Sequence, residues 1–212
     1  MTTPKSLLVF VYAFKDKQLK DFVDNLVSKT RSNLRIEIID QNPLERNNIF
    51  EAMRLEQEKL GTHIHYRNIK WDDMAGPCHY KSDFISNGTP DDYLAVLSPD
   101  IFVEDGWDEK IIKVIESSPR EVVVSGIGRP IITQPNLFDI NVDFQSYDSF
   151  FPSSMIDRKI IFTRMSTWRR FQYPNFIKYA GENELLSLLF MSHNIAIVSA
   201  PSSIGKDTNL NT

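Results

Sequence analysis

The sequence predicts an α/β fold: a mostly parallel sheet with helices on both faces. Three observations carry that expectation. Uninterrupted apolar runs, Leu7-Leu-Val-Phe-Val-Tyr12 and Tyr93-Leu-Ala-Val-Leu97, read as strands covered on both sides. Segments of helical spacing alternate with them, which is the pattern of successive β-α-β units. Turn-forming residues such as Ser98-Pro99-Asp100 close the runs abruptly.

Taken in order, the first run is followed by Phe22, Leu26 and Val27 at helical spacing, then by the strand-like Leu34-Arg-Ile-Glu-Ile-Ile39. Residues 53–60 read as a second helix and residues 63–69 as a third strand. Gly76-Pro77 opens a helix reaching Phe84, because Pro suits a first helical turn. After the Tyr93 run, residues 107–115 place Trp107, Ile111, Val114 and Ile115 on one helix side, and residues 121–125 form a further strand. Residues 130–152 lose any clean period, as expected of an irregular insertion or lid. Residues 155–163 resume strand character. Residues 182–191, with Leu185, Leu186, Leu188, Leu189 and Phe190, read as a helix apolar around most of its circumference and therefore buried. Residues 195–200 form a last strand, and the polar tail from Ser202 is expected to fray.

The chain has 212 residues, 24 Lys plus Arg against 28 Asp plus Glu, a formal net charge of -4 and 42% hydrophobic residues. That describes a single domain over residues 1–212 with a full core. The lone Cys78 excludes a disulfide scaffold and suits a reducing compartment. No apolar run approaches the roughly 18 to 20 residues of a membrane span. The first apolar run is short for a signal core and meets Lys15, Asp16 and Lys17 at once, so a cytoplasmic location is expected, host cytoplasm if the source is viral.

Ligands in parallel sheets sit at the carboxyl ends of the strands. The ligand-binding candidates there are Ala13, Asp16, Asp40, Gly76 and Ser98, with Asp100 as the candidate metal ligand. A lone acid one step past a buried strand could hold a divalent cation against a diphosphate, or could merely cap a turn. Glu182 and Glu184 open the apolar helix, where a cap and a catalytic carboxylate are equally well served. Arg158, Lys159, Arg164, Arg169 and Arg170, interleaved with aromatics, form either a solvated face or a polyanion contact. His63 and His65 share a strand face at chelating spacing, but without a neighbouring ligand pair an ordinary surface is expected. Gly126-Ile-Gly128 lacks the third Gly of a dinucleotide fingerprint and reads as a turn, and Ser202-Ser-Ile-Gly-Lys206 lacks the leading Gly of a phosphate loop.

Four blocks share one further likeness. Trp71-Asp-Asp-Met-Ala-Gly-Pro-Cys-His-Tyr-Lys81 resembles the Gly-Pro-Cys-x-x-Arg block of the polypeptide N-acetylglucosaminyltransferase-like family, whose members modify protein hydroxyls from a UDP-sugar. Tyr93-Leu-Ala-Val-Leu-Ser-Pro-Asp-Ile-Phe-Val-Glu-Asp-Gly-Trp-Asp108 resembles that family's metal block and its Gly-Trp-Asp helix start. The Gly181-Glu-Asn-Glu helix leading to Pro201 is similar to its Gly-Glu-Glu helix, and Tyr12-Ala-Phe-Lys-Asp16 to the end of its first strand. The resemblance implies a GT-A-type, Rossmann-like fold and a hexosyl- or pentosyltransferase using a nucleotide sugar, with manganese or magnesium. It also implies that these carboxyl-end residues and Lys81 contact the sugar donor and that the acceptor is a macromolecule such as a protein, for which Trp107, Arg169 and Arg170 are the contact candidates. The compact length and basic stretch would suit hydroxylated bases in DNA, as in bacteriophage modification enzymes, and a binding module without turnover is a third reading. There are departures. The family's Asp-Ser-His falls on Leu97-Ser98-Pro99, leaving Asp100 displaced by one; Lys81 replaces an Arg; and no His follows His193 to supply a carboxy-terminal ligand.

Overall fold

A computed structural model describes residues 5–13, 19–40, 63–68, 91–127, 150–157, 159–171 and 182–208. The expected helices at residues 53–60 and from Gly76, and most of the expected insertion at 130–152, lie outside the described residues. The strands are β1 (Ser6–Ala13), β2 (Asn33–Asp40), β3 (His63–Asn68), β4 (Tyr93–Leu97), β5 (Ile101–Val103), β6 (Val122–Ile127), β7 (Phe151–Pro152), β8 (Ile160–Arg164), β9 (Ala196–Ala200) and β10 (Gly205–Asp207). The helices are α1 (Leu19–Lys29), α2 (Trp107–Ser117), α3 (Met165–Arg170) and α4 (Glu182–Ser192).

Eight strands form one sheet in the order β3-β2-β1-β4-β8-β6-β9-β7, while β5 and β10 pair separately. The pairs β1–β2, β1–β4, β2–β3 and β6–β9 are parallel. β8 runs antiparallel to both β4 and β6, and β7 antiparallel to β9. The carboxyl ends of β1, β2, β3, β4, β6 and β9 therefore share one sheet edge, which also receives the start of β8. The fold is the mostly parallel, helix-flanked α/β sheet that the sequence predicts.

The central strand explains the register. Leu7, Leu8, Val9, Phe10 and Val11 are all buried, alternate residues facing opposite layers. Leu7, Val9 and Val11 pack with Phe22 and Leu26 of α1 and with Trp107, Ile111 and Ile115 of α2. Leu8 and Phe10 pack with Met165 and Trp168 of α3 and with Leu186 and Phe190 of α4. A one-residue slip of β1 would exchange those two sets against differently shaped partners.

The start of α2 is clasped to the end of α1. Gly106 adopts the left-handed conformation at φ 63°, a geometry natural to glycine, and its N–H donates to the Lys29 carbonyl at 3.0 Å. The Trp107 indole N–H donates to Thr30 Oγ1 at 3.0 Å, and its ring meets Phe162 edge-on at 5.5 Å. Asp108 is fully buried and accepts the backbone N–H groups of Ser32 at 2.7 Å and Arg31 at 3.1 Å. A charged acceptor thus satisfies donors that the turn into β2 would otherwise bury unpaired.

Three expectations need correction, and one helix was not expected. The strand expected over 155–163 begins only at Ile160 and runs antiparallel, because 153–157 is irregular and held by side chains. α3 interrupts the basic stretch, burying Met165, Thr167 and Trp168. α4 is not buried all round: Leu186 and Phe190 face the core, whereas Leu188 is 60% exposed. The tail does not fray at Ser202, since residues 205–207 pair with β5. Among the described residues no helix is long and apolar enough to cross a membrane.

Two outcomes are expected. Asp108→Ala should destabilise the protein by on the order of 2 kcal/mol, seen as a lower denaturant midpoint at unchanged slope, because two buried N–H groups lose a charged acceptor. Tyr93 is buried, and its hydroxyl donates to Glu116 Oε1 at 2.9 Å. Burial first, and that carboxylate second, push its phenol from 10.0 up to about 12. Its stabilising contribution is complete below the ordinary tyrosine range and is lost as pH rises through about 12. An absorbance titration should show a phenol ionising that late, and Tyr93→Phe should remove its contribution.

Candidate functional site at the carboxyl edge

The parallel register sets Ala13, at the end of β1, opposite Asp40, at the end of β2. Beside them β4 ends at Leu97, paired with Ile160. The ladder continues one step further, for the Ser98 N–H donates to the Lys159 carbonyl at 2.8 Å. A tight turn follows, with the Ile101 N–H donating to the Ser98 carbonyl at 3.0 Å, and it presents Asp100 at this edge.

Asp100 is gripped from two directions. Its carbonyl accepts the Thr208 N–H at 2.9 Å and the Thr208 hydroxyl at 3.0 Å. Its Oδ2 meets Lys159 Nζ at 2.8 Å, and the same ammonium meets Asp207 Oδ2 at 2.6 Å. The side chains are largely withdrawn from solvent, 12% exposed for Asp100, 10% for Asp207 and 25% for Lys159. Burial alone would lower the Lys159 pKa, but its hydrogen bonds to Asp100 and then Asp207 outweigh that and raise it, so the side chain is an ammonium throughout the neutral range.

Lys159 is itself held firmly. Its N–H donates to Asp157 Oδ1 at 2.9 Å. The Ser125 hydroxyl accepts the Asp157 N–H at 2.6 Å and donates to the Ile160 carbonyl at 2.9 Å, pinning both flanks of Lys159 to β6. The neighbouring irregular segment reaches α4, where Ser187 Oγ accepts the Ile156 N–H at 2.9 Å and donates to the Asn183 carbonyl at 2.5 Å. The first turn of α4 is thereby fastened near the cluster. Glu182 opens that helix, and the Glu184 side chain is exposed on it.

Ala13, Asp40, Ser98, Asp100 and the amino end of α4 are thus gathered at one edge. Asp16, Gly76 and Lys81 lie outside the described residues. Three acceptor candidates do not join the group. Trp107 is fully buried, its one polar atom engaged by Thr30, so it has no face to offer an acceptor. Arg169 and Arg170 follow β8, whose end pairs with the beginning of β4 through Arg164 and Tyr93, placing them at the opposite edge of the sheet. There Arg170 pairs with Glu121 and lies over the Phe171 ring, and Arg169 lines a cavity of about 390 Å³ with Lys5, Asp92 and Arg164. His65 meets the buried Glu37 at 2.6 Å, and among the described residues no three His, Cys, Asp or Glu side chains gather as a metal site.

Sequence reasoning missed Lys159 as a site residue and Asp207 altogether. Asp207 supplies a carboxylate from the carboxy-terminal segment, where only a histidine was sought. The pairing of β10 with β5 brings it in, and nothing in a polar stretch of three residues announces such a pairing.

No protein-family model matches the chain, and no curated protein does. Solved structures do resemble it. GalNAc-T7 with UDP, GalNAc and Mn2+ superposes with a TM-score of 0.70 at 12% identity, covering 93% of this chain and 43% of that one. The mannosyltransferase PcManGT from Pyrobaculum calidifontis, in complex with GDP-Man and Mn2+, gives 0.62 at 10%, covering 95% and 58%. S. aureus TarS 1-349 in complex with UDP-GlcNAc gives 0.62 at 10%, covering 96% and 60%. The chain spans less than two thirds of the length of each. Its fold is the GT-A fold of glycosyltransferases, a mostly parallel sheet flanked by helices.

Proposed function

We propose that this chain transfers a sugar from a nucleotide sugar, a UDP-sugar first, to a hydroxyl on a macromolecule. The observation that carries the reading is the carboxyl edge itself. Ala13, Asp40, Ser98 and Asp100 converge there in a fold that GalNAc-T7, PcManGT and TarS share over nearly all of this chain.

The chemistry required is displacement of a nucleoside diphosphate from an anomeric carbon by an acceptor oxygen. Negative charge grows on the departing diphosphate, and cations at this edge would stabilise it. Asp100 and Asp207 are the described residues that would hold a divalent ion, and their hard oxygen donors fit manganese or magnesium. Such an ion, when bound, supplies charge against the diphosphate. Asp16, Gly76 and Lys81 belong to the donor side of the proposal, with Lys81 near the phosphates or base.

Glu182 or Glu184 is proposed to face the acceptor. If the reaction inverts, that carboxylate takes the acceptor's proton; if it retains, it orients the acceptor or steadies the sugar cation. Ser187 ties the first turn of α4 to the Ile156 backbone, which would fix the helix end that carries these acids. A DNA acceptor draws no support from Arg169 and Arg170, which stand at the far edge.

A thermal-shift panel of nucleoside diphosphates and nucleotide sugars tests the reading. UDP or GDP should raise the melting temperature in proportion to the logarithm of its concentration above the dissociation constant. Absence of any nucleotide shift would reject a donor site, and saturable binding without release of nucleoside diphosphate would make the chain a binding module. In single-turnover transfer, Glu182→Gln or Glu184→Gln should lose on the order of a hundredfold with donor binding intact. Wild-type rates in both would leave the α4 start a structural element.

A further inference from the structure

We propose that Lys159 is the resident cation of this site, and that a divalent ion reaches Asp100 and Asp207 only by displacing its ammonium. The inference rests on the reading above only in taking the carboxyl edge as the donor site. Its physical content is local. The ammonium lies 2.8 Å from Asp100 Oδ2 and 2.6 Å from Asp207 Oδ2, so it fills the point on which the two carboxylates converge. A manganese or magnesium ion held by Asp100 and Asp207 would need the carboxylate oxygens that now hold the ammonium, and like charge would keep the two cations from sharing them.

The lysine is built to exchange rather than to unfold the edge. Its backbone is fixed on both sides, by the Ser98 N–H on its carbonyl and by Asp157 on its N–H. Its side chain, 25% exposed, has a flexible four-carbon stem by which to withdraw. An ion bound here would take over the carboxylate charge that Lys159 now balances, and the freed ammonium would add positive charge beside it, so ion and nucleotide would favour one another's binding.

The test is calorimetric titration of manganese into the nucleotide-free protein, as wild type, Lys159→Met and Lys159→Gln. Removal of the competing ammonium should lower the manganese dissociation constant at least about tenfold in Lys159→Met. Lys159→Gln keeps a neutral donor for one carboxylate and should show the same direction if Lys159→Met fails to fold, as judged by circular dichroism. Adding Asp207→Asn to either variant should return the affinity to the wild-type level or below. Equal affinity in wild type and the folded Lys159 variants overturns the proposal. So does tight binding that survives Asp207→Asn, or no manganese binding in any folded variant. Because no nucleotide is present, these outcomes stand apart from the nucleotide-shift panel: that panel can fail while the exchange holds, and the reverse.

Discussion

The antiparallel insertion of β8 between β4 and β6 is the constraint on which the site depends. In an uninterrupted parallel sheet the start of a strand lies at the edge away from the ligands. Because β8 runs backwards, its start arrives beside the end of β4, and the Leu97–Ile160 pair continues into the Ser98–Lys159 hydrogen bond. That single continuation places a lysine next to the turn bearing Asp100. The same reversal carries the end of β8, and α3 after it, to the opposite edge. One strand direction therefore decides both which basic residue reaches the candidate site and which ones cannot.

A second layer of organisation separates residues that shape the edge from residues exposed on it. Gly106, Trp107 and Asp108 look like a functional signature in sequence, yet each is spent on joining α2 to the α1–β2 turn. The charge of Asp108 is buried for the sake of backbone donors, which is economical where a turn must pass beneath a helix start. Ser125 does comparable work on the other side, tying the irregular segment before β8 to β6. The Ser98 N–H, Asp157 and Ser125 fix the backbone around Lys159, which reaches Asp100 and Asp207 through a flexible four-carbon stem.

How much of this was legible in the sequence follows from the range of each interaction. β1 and β4 were readable because burial on both faces leaves a continuous apolar run, β2 because its apolar residues alternate with Arg35 and Glu37, and α1 and α2 because a half-buried helix leaves a period. α4 was read as buried around most of its circumference because its composition, rich in leucine throughout, hides the difference between buried Leu186 and Phe190, half-buried Leu189 and Met191, and exposed Leu188. Strand direction has no local signature, so Arg169 and Arg170 could not be assigned to an edge. Asp100 was found from its place after a buried strand. Its partner Asp207 was not, since a pairing between segments a hundred residues apart depends on the whole fold closing first.

That closing contact leaves little room at one position. Gly205 lies where β10 crosses β5, and a β-carbon there would stand 2.7 Å from the Phe102 carbonyl oxygen, with Ile127 Cδ1 at 3.3 Å. A backbone oxygen cannot yield as the far end of a side chain can, so any side chain at 205 must pry the carboxy-terminal strand away and carry Asp207 with it. In a saturation library scored by activity, position 205 would behave like a reacting group, tolerating no replacement, although it touches no substrate. Intolerance at this glycine measures how closely two strands approach, and such a scan would have to be paired with an abundance score before any of its depleted positions were read as chemistry.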